Sequence, residues 1–171
     1  PLLNVAGPEA NHLNEAYSLL TATDLKMAKN IAKNLLEKVE IKKQEIKRIY
    51  EEAETSEFSK DLVIFKGDSS WPLVLLGPVA SKICQKYQKP TFLYKLGKIE
   101  SPGAVRVPSG FNAVTAMKSC EDLLETFGGH PLAAGFRIKN ENLEKFNSKR
   151  FFKIDMNFRK SELLLKFIRR D

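Results

Sequence analysis

Gly128-Gly129-His130-Pro131-Leu132-Ala133-Ala134-Gly135-Phe136 is the stretch on which the reading of this chain turns. Two adjacent glycines permit positive φ angles and let the backbone approach a ligand with no Cβ in the way. His130 is one of 2 histidines in the chain. Two alanines and a third glycine follow Pro131, and Phe136-Arg137-Ile138 then alternates like the start of a strand. Small residues, one imidazole and a following strand describe a tight loop that holds a polar side chain against something close-packed. An ordinary glycine turn with a hydrogen-bonded histidine fits the same residues.

Upstream of this stretch, Asn112 is placed to cap a helix whose apolar face is Val114, Met117, Cys120 or Glu121, and Leu124, stopping at Gly128-Gly129. Before it, Gly97 and Pro102-Gly103 mark loops around a strand near Val105-Arg106-Val107, and Thr91-Phe92-Leu93-Tyr94 forms another strand after Pro90. Trp71-Pro72 opens a helix with Leu75, Leu76, Val79, Ala80, Ile83 and Cys84 on its buried side, ending near Tyr87. Leu62 to Phe65 is a short apolar run, a buried strand.

Further towards the N-terminus, Thr23 or Asp24 caps a long helix with a narrow apolar stripe: Leu25, Ala28, Ala32, Leu35, Val39, Ile46, Ile49 and Ala53. At 1.5 Å per residue, about 30 residues span roughly 45 Å. A short helix carrying Leu13, Ala16, Tyr17 and Leu20 precedes it. Downstream, Asn140 caps a short helix with Leu143 and Phe146, Phe151 to Met156 reads as a fifth strand, and Ser161 to Arg169 as a last helix. The fold class that follows is α/β: a long N-terminal helix, then an α/β sandwich with a mixed, largely parallel sheet of about five strands.

The composition is that of a folded chain, 43% hydrophobic and 29% charged, with a net charge of +7. A basic balance favours an anionic partner, nucleic acid first, although many lysine-rich domains are equally basic. Cys84 and Cys120 have neither C-x-x-C nor metal-ligand spacing and read as reduced, half-buried thiols of a cytoplasmic protein. No apolar run approaches the length of a membrane span, so no membrane partner is expected.

The G-G-H-x-x-A-A-G-F pattern resembles the C-terminal, DHH-associated domain of the DHH phosphoesterases. The surrounding residues are similar to the RecJ family of single-strand-specific 5′→3′ DNA exonucleases. Pro1-Leu2-Leu3-Asn4-Val5-Ala6-Gly7 is similar to that family's P-R-x-N-x-A-G-R segment. Trp71, with Gly77-Pro78-Val79-Ala80-Ser81-Lys82, is similar to W-x-x-G-x-x-G-x-V-A-S-R/K, and Gly103-Ala104-Val105-Arg106 stands where the family has G-S-x-R. The resemblance implies a piece of a longer protein. Residues 1–22 would end a catalytic DHH domain, 23–58 form a linker helix, 59–150 form the DHH-associated substrate-binding domain, and 151–171 lead towards a missing OB-type domain.

It also implies a partner and a site. The partner would be single-stranded DNA, or RNA, held beside the missing DHH catalytic domain in cis, with Mn or Mg bound in that domain. Phosphate contacts would fall to Gly128, Gly129 and His130 and to Arg106: the glycines through backbone N–H groups, His130 through its ring, Arg106 through a planar fork of donors. Trp71 is either a base-stacking platform or a core anchor, and Lys82, Lys86 and Lys89 would add to a basic groove. The chain has no D-H-H triplet and no D-x-D, so no catalytic residue and no metal ligand is assigned within it, and alone it is expected to be inactive. Leu2, Pro8, Val74 and Ala104 depart from the family pattern, each removing a donor or crowding the backbone approach. Two other readings remain: a DHH-family phosphodiesterase of oligonucleotides or dinucleotides, and a non-catalytic RNA-binding module like the C-terminal domain of alanyl-tRNA synthetases.

Overall fold

In the computed structural model, residues 12–54, 58 and 62–148 are described. They fall in two compact units, Pro1–Arg48 and Ile49–Asp171. The first unit holds α1 (His12–Thr21) and most of α2 (Leu25–Ala53). Asp24 caps α2, its carboxylate oxygens accepting from the amides of Lys26 and Met27 at 3.2 and 3.0 Å. The apolar stripe is buried or half-buried from Ala28 onwards, with Leu35 fully enclosed, whereas Leu25 is exposed. Lys38 on α2 bonds both carboxylate oxygens of Glu15 on α1 at 2.6 and 2.7 Å. None of the described helices is long and apolar enough to cross a membrane.

The second unit is built on a five-stranded mixed sheet, ordered β1-β2-β3-β5-β4. Its strands are β1 (Ile64–Asp68), β2 (Thr91–Lys95), β3 (Glu100–Arg106), β4 (Leu124–His130) and β5 (Ala133–Lys139). The α/β class and the mixed sheet stand, but the balance of directions differs from expectation. Only β1 and β2 run parallel, and the other three pairings are antiparallel. One helical crossover of the kind a parallel pair requires is present, α3 (Leu73–Tyr87) between β1 and β2. α3 buries the six expected residues, Leu75, Leu76, Val79, Ala80, Ile83 and Cys84.

Neighbours in register share a face, and alternate residues along a strand switch face. Phe92, Val105, Ala134, Phe136 and Ile138 therefore point to one side. There they pack with Met117 of α4 (Ala113–Lys118) and Phe146 of α5 (Leu143–Ser148). The Phe136 and Phe146 rings stack at 6.0 Å, and Phe65 and Phe92 close around Phe146 at 5.4 and 5.7 Å. The opposite side is roofed by α3 over β2 and β3.

Three local expectations are corrected. The helix after Asn112 is real and capped, Asn112 Oδ1 accepting from Val114 and Thr115, but it is only six residues long. A 3-10 turn at Glu121–Leu123 ends it, and Leu124 to His130 is strand β4. Val114, Met117, Cys120 and Leu124 keep a helical period across that break, which is why the period misleads; Thr126, Phe127 and two glycines are poor helix formers. Pro102-Gly103 lies inside β3 rather than in a loop, because Gly103 sits where a Cβ would come within 2.5 Å of the Phe136 ring. Asn140 is not a helix cap: its side chain donates to the Gly97 carbonyl at 2.9 Å and bonds the buried Ser101 hydroxyl at 2.7 Å, fastening the β2–β3 loop. The strand expected at 151–156 and the helix at 161–169 lie outside the described residues.

Candidate functional site

The G-G-H residues are the end of β4, an edge strand of the sheet, not a loop after a helix. Pro131 and Leu132 alone turn the chain into β5, and the Leu132 carbonyl accepts from Val107 N at 3.2 Å and the Pro131 carbonyl from Ala113 N at 2.7 Å. The two glycines differ. Gly129 has φ +142°, and a Cβ there would lie 2.7 Å from the Ala133 carbonyl oxygen and the Ala134 Cα, so the hairpin itself requires glycine. Gly128 has no positive φ, and a Cβ on it would meet nothing within 4 Å. The fold gives no reason for a glycine there.

His130 pairs with Ala133 across β4 and β5, and Ala133 pairs with Arg106 across β5 and β3. Arg106, Ala133 and His130 thus form one row over three strands on one face, about 10 Å from first to last Cα. The hydrogen-bonded core histidine is not found: His130 is exposed. The two residues are brought together by a central strand on which both register.

Arg106 is half-buried beneath α3. Its Nε donates to Ser81 Oγ at 3.1 Å and its Nη1 to the Val105 carbonyl at 2.7 Å. Burial pushes its pKa below the ordinary value, and neighbouring Cys84 acts in the opposite sense. A guanidinium nevertheless keeps its proton at neutral pH. Among the described residues no carboxylate pairs with it, unlike Arg137, which bonds Glu100, and Arg48, which bonds Glu45. A partly desolvated cation without an acid partner is a strong acceptor of an incoming anion. Ala104, Gly135 and Gly128 form the next row on the same face, so the surface beside the pair is almost bare backbone.

Trp71 is not brought to this row. It is 2% exposed, with Nε1 donating to Glu52 Oε2 at 3.0 Å. A ring so enclosed has no open face for a base, and Trp71 is a core anchor. Lys86 and Lys89 are also engaged elsewhere. Lys86 bonds Glu54 at 2.6 Å, and Lys89 donates to the Phe58 carbonyl at 2.8 Å, whereas Lys82 is exposed and makes no hydrogen bond or ion pair to a described residue. Val74 is exposed near the start of α3, Ala104 is half-buried on β3, and Leu2 and Pro8 lie outside the described residues. The sequence reading missed the Glu54 junction, where Tyr50, Lys86 and Tyr87 converge on one carboxylate oxygen at 2.6–2.8 Å. It also gave Gly77 and Ser81 no role. Their spacing of four on a helix, which places them on one face, was the available signal.

No group of three or more His, Cys, Asp or Glu among the described residues is arranged to hold a metal ion.

Residues 59–151 match the DHHA1 domain family. Among curated proteins, the single-stranded-DNA-specific exonuclease RecJ of Bacillus subtilis is 26% identical over 154 residues, 87% of this chain and 20% of that protein. RecJ of Thermus thermophilus is 39% identical over 75 residues, 44% of this chain and 11% of that protein. The crystal structure of Thermus thermophilus RecJ in complex with Mg2+ shares the fold at a TM-score of 0.75 and 26% identity, covering 92% of this chain and 24% of that one. The chain thus spans about a fifth or less of the curated relatives it matches. With the matching segment taking in more than half of its length, the chain belongs to the DHHA1 domain family, and what it resembles within that family is RecJ.

Proposed function

We propose that this chain is the substrate-holding portion of a RecJ-like single-strand-specific DNA exonuclease, and that it grips a phosphate of single-stranded DNA between Arg106 and His130. The observation that carries the reading is the shared register row: a half-buried guanidinium with no carboxylate partner among the described residues and an exposed imidazole flank Ala133 on a face that no described helix covers. A phosphate above Ala133 would take charge-assisted hydrogen bonds from the arginine and a further one from the histidine. Gly128 leaves the backbone open to close approach on the same side. Hydrolysis would belong to a DHH catalytic domain joined in cis, where Mn or Mg would be held; this chain supplies grip and orientation.

The test is binding of labelled single-stranded DNA to Arg106→Ala and His130→Ala, with melting temperature recorded in parallel. Each substitution should cost about 1.5–3 kcal/mol of binding, the value of a hydrogen bond to a charged group, with stability nearly unchanged. Affinity should fall with salt at a slope of roughly 0.7 per phosphate engaged. Unchanged affinity in both variants would overturn the assignment, as would a large loss of stability in His130→Ala with binding intact.

A further inference from the structure

We infer that Gly77 and Ser81 of α3 are positioning residues for Arg106, fixing the direction of its guanidinium and with it the affinity for nucleic-acid phosphate. The inference rests on the reading of Arg106 as a phosphate contact. Gly77 lies inside a helix, where glycine is less favourable than alanine by about 1 kcal/mol. Its φ is not positive, so the backbone does not ask for glycine. A Cβ there would lie 2.8 Å from Nη2 of Arg106, 3.6 Å from its Cζ and 4.0 Å from its Nη1. Beyond the helix's own backbone, its three nearest neighbours are all atoms of that one guanidinium. The missing Cβ is the space the arginine occupies.

Ser81 follows one turn later on the same helix face. Its Oγ accepts from Nε at 3.1 Å, and the Val105 carbonyl takes Nη1 at 2.7 Å. These two acceptors fix the guanidinium plane, while Nη2, lodged against Gly77, donates to no described residue and keeps its protons for a ligand. A side chain with many rotamers is thereby held in one direction before any ligand arrives, which lowers the ordering cost of binding.

The experiment measures anisotropy of a 3′-fluorescein, 5′-phosphorylated oligothymidylate at low salt, with melting temperatures, for Gly77→Ala, Ser81→Ala, Ser81→Thr and Arg106→Ala. Gly77→Ala and Ser81→Ala are repeated in the Arg106→Ala background. Gly77→Ala should weaken binding on the order of tenfold while the melting temperature holds or rises. Ser81→Ala should weaken binding and Ser81→Thr restore it. Neither substitution should weaken binding further once Arg106 is alanine, because each acts through that side chain. Gly77→Ala that binds like the wild type, melts lower, or loses as much binding without Arg106 as with it overturns the inference. If Arg106→Ala itself binds normally, the phosphate reading falls first and the inference with it. If Arg106→Ala is weak while Gly77→Ala and Ser81→Ala are not, the positioning role alone falls.

Discussion

The side of the sheet that faces α3 and the side formed by β5 and β4 belong to one continuous face, yet they are made of different residues. Under α3, Thr91 and Leu93 are fully buried, as are Leu76, Val79, Ala80 and Ile83 of the helix itself. Over β5 and β4 the same face carries Ala133, Gly135, Gly128 and His130, and no described helix covers it. Large apolar side chains gain by removal from water, so the first half recruits a cover. Small and polar ones gain little, so the second stays open. Arg106 stands on the seam, its backbone in β3 and its guanidinium under the edge of α3. Stability should therefore reside in the covered half and binding in the bare half.

The largest expected effect breaks the covered half. Leu76→Ala should lose about 2–5 kcal/mol in urea unfolding, since it empties a fully buried site. DNA affinity of the remaining folded protein should be kept. Loss of affinity in a protein shown to be folded would mean that the halves are not independent.

Gly129→Ala tests the hairpin that joins the bare strands. The positive φ and the 2.7 Å approach to Ala133 should cost about 1–3 kcal/mol. A variant as stable as the wild type would show that the hairpin can be rebuilt around a side chain.

Acid should loosen the covered half. Hydrogen bonds from Lys86, then Tyr87, lower the pKa of Glu54 from an ordinary 4.5 to about 2. Because the folded value is the lower one, the junction's contribution is complete above 4.5 and is lost as pH falls towards 2. Glu54→Gln should melt lower at neutral pH and show a shallower decline in melting temperature through that window. An unchanged acid profile would place the pH dependence elsewhere.

The smallest change in stability, opposite in sign, belongs to Gly128→Ala. With open space for the new Cβ, stability should hold or rise by about 0.5–1 kcal/mol. DNA affinity should nonetheless fall, the sign that this glycine serves a ligand. Unaltered binding would confine the interface to Arg106 and His130.

Much of the local structure could be read directly from the chain. The six buried residues of α3, the caps at Asp24 and Asn112, the stripe of α2 and the order of motifs that marks the family all depend on periods of a few residues or on fixed spacings. The backbone geometry of a helix is local, so its signature is local. Strand β4 was hidden because its leading residue continues the helical period of α4. Trp71 was equally ambiguous, since a ring that stacks on a base and one that fills a core are the same residue until a neighbour such as Glu52 is in place.

What the tertiary structure alone decided is who faces whom. Register joins Arg106 to His130 through Ala133, residues that no short window of sequence contains together. The direction of the arginine is set from α3, by a hydroxyl and a missing Cβ some 25 positions away in the chain. Strand pairing is a non-local choice made by the packing of both faces at once. The chain by itself therefore specified the buried faces of α2 and α3 and its family, and folding specified the row of side chains that joins Arg106 to His130.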